Sequence, residues 1–244
     1  MPTAGKAKIK VWRFDPEVDK EPYWQSYEIP VSESTTVLQG LFYITDYVDG
    51  SLSYRYCCRA AVCGSCAMYI NGSYRLACET QIAWFPDGVI EISPLPHLKV
   101  IKDLVVDLEP FFAKYELIKP YLINNSKPPE KERYQSQKDR KKLDEVIDCI
   151  LCASCYSSCP TVWMSEDEDG YIGPSALTKA WRFVVDSRDQ GAKERLEVVA
   201  SEHGLWRCHT AFNCVEACPK KINCTEAIQN LKRKAILSKF GLVR

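Results

Sequence analysis

The sequence predicts an α+β protein of two domains: a small one of strands with a single helix over residues 1–103, and a nearly all-helical one over residues 104–244. Three observations carry this. Period-two alternation and a tight-turn signal are confined to the first hundred residues. Apolar residues recur at helical intervals after Lys102, and cysteines fall into three runs, one in the first part and two in the second. At 244 residues and 46% apolar content the chain can furnish two ordinary cores.

Ala7 to Phe14 alternates polar and apolar residues and Trp24 to Val31 does so more loosely, which reads as two half-buried strands paired in a hairpin. Ser34-Thr35-Thr36 is a capping signal ahead of Val37, Leu38, Leu41, Phe42, Ile44 and Tyr47, so a helix is expected to cross the sheet. Ala67 to Ile70 and Tyr74 to Ala77 flank Asn71-Gly72, the pair favoured in a type I′ turn, and Val89 to Ile92 reads as a last short strand. Beyond Lys102, the spacing of Leu104, Val105, Leu108, Phe111, Phe112, Tyr115 and Ile118 is helical. Residues 124–137 read as an exposed loop, Asp139 to Ile147 as a helix leading into Cys149, and the acidic run Glu166 to Asp169 as a solvated loop. Further helices are expected over Pro174 to Ser187, Gln190 to Glu202 and Thr225 to Lys239.

Lys+Arg and Asp+Glu each number 32, so no basic excess points to nucleic acid and no acidic tail points to disorder. The N-terminus carries no apolar signal core, and no uninterrupted 18-residue apolar span occurs. The expectation is a protein soluble by itself in a reducing compartment, where clustered cysteines read as metal ligands. Their odd total, 13, also argues against a closed disulfide framework.

Cys149, Cys152, Cys155 and Cys159 are separated by two, two and three residues and followed at once by Pro160. This is bacterial ferredoxin spacing, in which three thiolates serve one cubane and the fourth serves another cluster. A lone run of this kind also suits a zinc site. The second run, Cys208, Cys214 and Cys218-Pro219, repeats the spacing with Ala211 where a cysteine would stand. By the exchange rule, Cys149, Cys152, Cys155 and Cys218 hold a [4Fe-4S] cluster, while Cys159, Cys208 and Cys214 hold another. An alanine methyl cannot bind a corner iron, so the latter is expected to be [3Fe-4S], with a higher potential suited to the accepting end of a chain. The alternative is a complete [4Fe-4S] cluster with water or another side chain at the fourth iron.

Upstream, Cys58, Cys63 and Cys66 have the plant-type spacing of four and then two, and Cys78 follows much sooner than in plant ferredoxins. These four are the expected [2Fe-2S] ligands. Gly64 leaves room for backbone N–H groups to approach the sulfides. Cys57 would make the first spacing five and is taken as a non-ligand; Cys224 lies outside the framework and reads as a plain thiol.

Three cluster motifs in this order, with the gap at Ala211, make the chain resemble the iron–sulfur subunit of succinate dehydrogenase and quinol:fumarate reductase, the respiratory complex II family. Tyr54 to Arg59, Ile172-Gly173-Pro174, Asp186 to Asp189 and Trp206 to His209 add to the likeness. The resemblance implies an N-terminal β-grasp ferredoxin domain and a C-terminal α-helical ferredoxin domain, with no dicarboxylate site and no catalytic residue on this chain. It implies electron transfer between FAD on a flavoprotein subunit and a quinone, ubiquinone or menaquinone, beside one or more membrane-anchor subunits, and leaves heme in the anchor open. The subunit would sit peripherally on the cytoplasmic face of a bacterial inner membrane. Positions matching the family's quinone site are Pro160, His209 and Lys232, with Trp163 nearby. Met164 stands where succinate dehydrogenases carry a second tryptophan that contacts quinone, which puts the quinone type in doubt. Bland alternatives are Trp163 as a core or anchor-contact residue, His209 as a group supporting the cluster loop, and Lys232 as a solvated helix residue. A carrier for a soluble fumarate reductase or another dehydrogenase, and a structural zinc protein, are the competing functions.

Overall fold

The computed structural model describes residues 5–165 and 170–241, so the acidic run at 166–169 lies outside the described residues. Two compact units emerge, Met1–Leu108 with Ile150–Ser157, and Glu109–Cys149 with Ser158–Arg244.

In the first unit, β1 (Gly5–Arg13) pairs antiparallel with β2 (Tyr23–Val31) and parallel with β5 (Val89–Ser93). Strand β3 (Ala67–Ile70) joins β5 and β4 (Ser73–Leu76), giving the order β2-β1-β5-β3-β4. Asn71 and Gly72 both have positive φ, 44° and 74°, as a type I′ turn requires. Helix α1 (Val37–Tyr47) starts at a capping box: Thr36 Oγ1 accepts from the Gln39 N–H while Gln39 Oε1 accepts from the Thr36 N–H. Its Val37, Leu38, Leu41 and Ile44 share a core with Ile9, Val11, Ile29, Ile90 and Ile92 from the sheet, as the alternation in these strands anticipates.

Leu104 and Val105 depart from the helical expectation. Val105 opens β7 (Val105–Val106), which pairs with β6 (Val100–Lys102). Asp103 makes the turn at φ 46°, its carboxylate accepting from Arg13 Nε and from the backbone N–H groups of Phe14 and Ser53. Arg13, itself buried, also bonds Asp49, Tyr27, Gln25 and Ser51.

The described part of the second unit holds α2 (Glu109–Glu116), α3 (Gln137–Lys141), α4 (Pro174–Val184), α5 (Ala192–Val199) and α6 (Cys224–Lys239), with shorter helical turns between them. Proline at the first position of α4 loses no hydrogen bond, because that N–H would lack a helical partner in any case. Leu177, Ala180 and Phe183 of α4 meet Leu196 and Val199 of α5 and Ile228 and Leu231 of α6 in one core. The helix expected from Asp139 to Ile147 is interrupted: Glu145 adopts φ 70° and its carboxylate accepts from the Asn223 N–H. The helix expected from Gln190 starts at Ala192, because Asp189 Oδ1 accepts from the Gly191 N–H at 2.7 Å.

The same Asp189 oxygen pairs with Arg195 Nη1 at 2.6 Å, with both side chains fully buried. Arg195 further donates to the carbonyls of Ile118, Lys119 and Tyr121 and lies over the Phe183 ring. Removing one member of a buried, hydrogen-bonded pair strands the other charge. Arg195→Met is therefore expected to destabilise this unit by about 3–5 kcal/mol, read by chemical denaturation; a loss below about 1 kcal/mol would place the pair with ordinary surface ion pairs.

Candidate metal centres

The loop from Cys58 to Cys66 is shaped by residues in the left-handed region: Arg59 (φ 58°), Ala61 (φ 55°) and Gly64 (φ 76°). Such φ values are costly for residues bearing a Cβ, and here they turn successive N–H groups to one side. The N–H groups of Ala60, Val62 and Cys63 point at Cys58 Sγ, each at 3.3 Å. The Cys58 N–H reaches Cys63 Sγ at 3.4 Å, and the Ala61 N–H reaches Cys78 Sγ at 3.3 Å. Cys66 is in hydrogen-bonding contact with Cys78, and burial pushes its thiol up. Burial acts on Cys63 in the same sense but is outweighed by the N–H groups of Cys58 and Ser65 and the Ser65 hydroxyl, which bring it down. The structure thus gathers Cys58, Cys63, Cys66 and Cys78, whereas exposed Cys57 takes none of these N–H bonds.

Sulfur ligands ringed by N–H donors suit a centre whose thiolates and sulfides carry negative charge. Gly64 is closely fitted into this loop. A Cβ on it would lie 2.8 Å from the Ile150 carbonyl oxygen and 2.9 Å from Cys152 Cβ.

The two later runs share a backbone signature as well as a spacing. Leu151 and Ala153 follow Cys149 by two and four residues with φ 54° and 64°; Thr210 and Phe212 follow Cys208 likewise, with φ 62° and 63°. Cys149 and Cys218 belong to the second unit and Cys152 and Cys155 to the first. The Ile222 N–H donates to Cys218 Sγ at 3.4 Å.

Cys159, Cys208 and Cys214 line one cavity together with Ala211, Pro160, His209, Tyr171 and Thr225. Cys159 precedes the helical turn Pro160–Trp163; burial raises its thiol pKa against the pull of the Val162 and Thr161 N–H groups. Cys214 Sγ lies 3.6 Å from Thr225 Oγ1, and contact with Cys224, together with burial, pushes the Cys214 thiol up. Three cysteine sulfurs around one cavity, with Ala211 also in its wall, are a donor set suited to an iron–sulfur centre. Among the described residues no group of three or more His, Cys, Asp or Glu closes on a single metal ion; the thiolates of a cluster are divided among its irons and need not meet at one point.

Of the expected quinone residues, Pro160 and His209 line this cavity, and His209 is exposed. Trp163 ends the adjacent helical turn, 43% exposed, and Met164 follows it at 68%. Lys232 Nζ donates to the Cys208 carbonyl at 3.0 Å, tying α6 to the cysteine loop and leaving the ammonium two further N–H groups. Sequence reasoning missed Thr225 and Tyr171. Neither stands in the cysteine spacing, and only the fold brings them to these sulfurs.

Residues 8–113 match the family model described as a 2Fe-2S iron-sulfur cluster binding domain, and residues 141–219 match that of a 4Fe-4S dicluster domain. The succinate dehydrogenase iron-sulfur subunit of Coxiella burnetii (strain RSA 493 / Nine Mile phase I) is 42% identical over 230 residues, covering 93% of this chain and 96% of that protein. The protein of the same name from Paracoccus denitrificans is 40% identical over 230 residues, covering 94% of this chain and 88% of that one. A chain of the Mycobacterium smegmatis Sdh1 complex in the apo form superposes with a TM-score of 0.83 at 28% identity, with 98% of each chain covered.

Gly64→Ala would place a Cβ against backbone at a strained φ. The variant is expected to lose the visible absorption and circular dichroism of the [2Fe-2S] centre while keeping the other iron; an unchanged spectrum would mean that the loop does not need this close approach.

Proposed function

The chain belongs to the succinate dehydrogenase iron–sulfur subunit family, and from that premise we propose how its cysteines divide the work. It is the electron-transfer subunit of a membrane-bound succinate dehydrogenase. In our reading, residues 1–103 form a β-grasp domain whose Cys58, Cys63, Cys66 and Cys78 hold [2Fe-2S]. Residues 104–244 form a largely α-helical domain, helical from Glu109 onward once the strand at Val105–Val106 is passed, in which Cys149, Cys152, Cys155 and Cys218 hold [4Fe-4S]. Cys159, Cys208 and Cys214 hold [3Fe-4S]. When bound, these centres take up and return single electrons, linking FAD on a flavoprotein partner to quinone.

The observation that carries this division is the position of Ala211. It lines the cavity shared by Cys159, Cys208 and Cys214 and offers that cavity only a methyl group. Three thiolates, with alanine where the spacing would put a fourth, favour a centre one iron short, and so one that accepts electrons more readily. The same cavity reaches Pro160 and His209, beside the exposed side chains of Trp163, Met164 and Phe212. These residues supply an apolar wall with an indole N–H and an imidazole that can bond a quinone oxygen. Lys232, anchored on the Cys208 carbonyl, can direct a remaining N–H to the same place.

Among the described residues no helix is long and apolar enough to cross a membrane. Attachment is therefore proposed to run through one or more anchor subunits, with this chain on the cytoplasmic face of a bacterial inner membrane. Heme, if the complex has it, belongs to the anchor. The dicarboxylate site belongs to the flavoprotein.

Electron paramagnetic resonance on the isolated complex is expected to give a [3Fe-4S] signal in the oxidised state and two further centres on reduction; an oxidised sample without that signal would defeat the assignment. Ala211→Cys is expected to admit a fourth iron, lower the potential at that centre and slow quinone reduction, leaving the other two unchanged. Persistence of the oxidised signal in this variant would show that ligand count does not set the cluster type.

A further inference from the structure

Thr225 is the second residue of α6 and is 4% exposed. Its hydroxyl lies in the wall of the cavity that Cys159, Cys208 and Cys214 share, 3.6 Å from Cys214 Sγ, and Cys214 is itself buried. Between a hydroxyl and a free thiol the donor is undetermined. Between a hydroxyl and an iron-bound thiolate it is not, because the sulfur has no proton to give. In any hydrogen bond across this contact the Oγ1–H is then the donor. The start of a 16-residue helix lies at the same place, so its positive end adds to the effect of the hydroxyl.

We infer that Thr225 sets the reduction potential of the centre held by Cys159, Cys208 and Cys214, by donating a hydrogen bond to the sulfur of Cys214. Reduction adds one electron to the centre and no bond is made or broken, so the potential follows how well its surroundings stabilise the added negative charge. A hydroxyl aimed at a ligand sulfur favours the reduced state and raises the potential, with more effect in a buried site than in water. The contact Thr225 makes is with a ligand sulfur, so its role is one of positioning and tuning. Tyr171, also buried in this wall and in contact with Cys208, is the corresponding group on the neighbouring ligand.

The inference rests on the assignment of a [3Fe-4S] centre to these cysteines, and the experiment separates the two. Midpoint potentials are measured by redox titration of the oxidised-state resonance in the intact complex, for the unaltered protein and for Thr225→Val, Thr225→Ala and Thr225→Ser. Valine keeps the shape and removes the donor; serine keeps the donor. The expected result is a downward shift in the valine and alanine variants and a return towards the original midpoint with serine, with the other two centres unmoved in all three. If the unaltered complex has no [3Fe-4S] resonance, the cluster assignment has failed and this inference falls with it. If the resonance is present and its midpoint is the same in all four proteins, the assignment stands and the tuning role is overturned. Loss of the centre in both valine and alanine variants would make the hydroxyl a structural anchor and would equally overturn it.

Discussion

A cluster of iron and sulfide held by thiolates brings negative charge into a protein, and the backbone must meet it with N–H groups. Polar groups taken out of water have to find partners, and a charged centre demands more of them than a neutral one. In this chain the demand is met by left-handed residues set between the cysteines. Arg59, Ala61 and Gly64 turn the first loop, Leu151 and Ala153 the second, and Thr210 and Phe212 the third. Only one of the seven is glycine. The other six hold a conformation that costs about 1–2 kcal/mol per residue, and at the first loop the return is visible as five N–H groups directed at three sulfurs.

A loop strained in this way needs a rigid frame, and each unit provides one around a buried arginine. In the first unit Arg13 binds Asp103 and Asp49, fixing the turn that ends the β6–β7 ribbon and the segment after α1. In the second, Arg195 binds Asp189 and three carbonyls ahead of the core that α4, α5 and α6 share. Lys232 then ties α6 to the loop itself through the Cys208 carbonyl. The chemistry-bearing cysteines thus sit on loops and, for Cys155 and Cys214, on short helical turns, whose neighbours are fixed by apolar packing and buried charge.

Much of this is legible in the sequence. The alternation in β1 and the Asn71-Gly72 turn rest on local preferences, and the structure repeats both. Ser34-Thr35-Thr36 before an apolar helical pattern announces the start of α1, and the structure makes Thr36 its cap. What could not be read depends on contacts distant in the chain. Val105 entered a strand because Asp103 turns beneath Arg13, 90 residues away in sequence. The helix before Cys149 broke because Glu145 bonds the backbone at Asn223, 78 residues on. At the centres, cysteine spacing points to the candidate ligands and Ala211 to the missing one, but Thr225 reaches Cys214 only through the packing of α6 onto that loop.

The division of sulfur among three centres is tested most directly by counting. Iron and acid-labile sulfide, measured per chain on the intact complex, are expected to differ by one: a [2Fe-2S] and a [4Fe-4S] centre contain equal numbers of each, whereas a centre facing the Ala211 methyl has one sulfide more than iron. Equal numbers would mean that every centre is complete, contradicting the view that a single absent thiolate makes the last centre the electron acceptor.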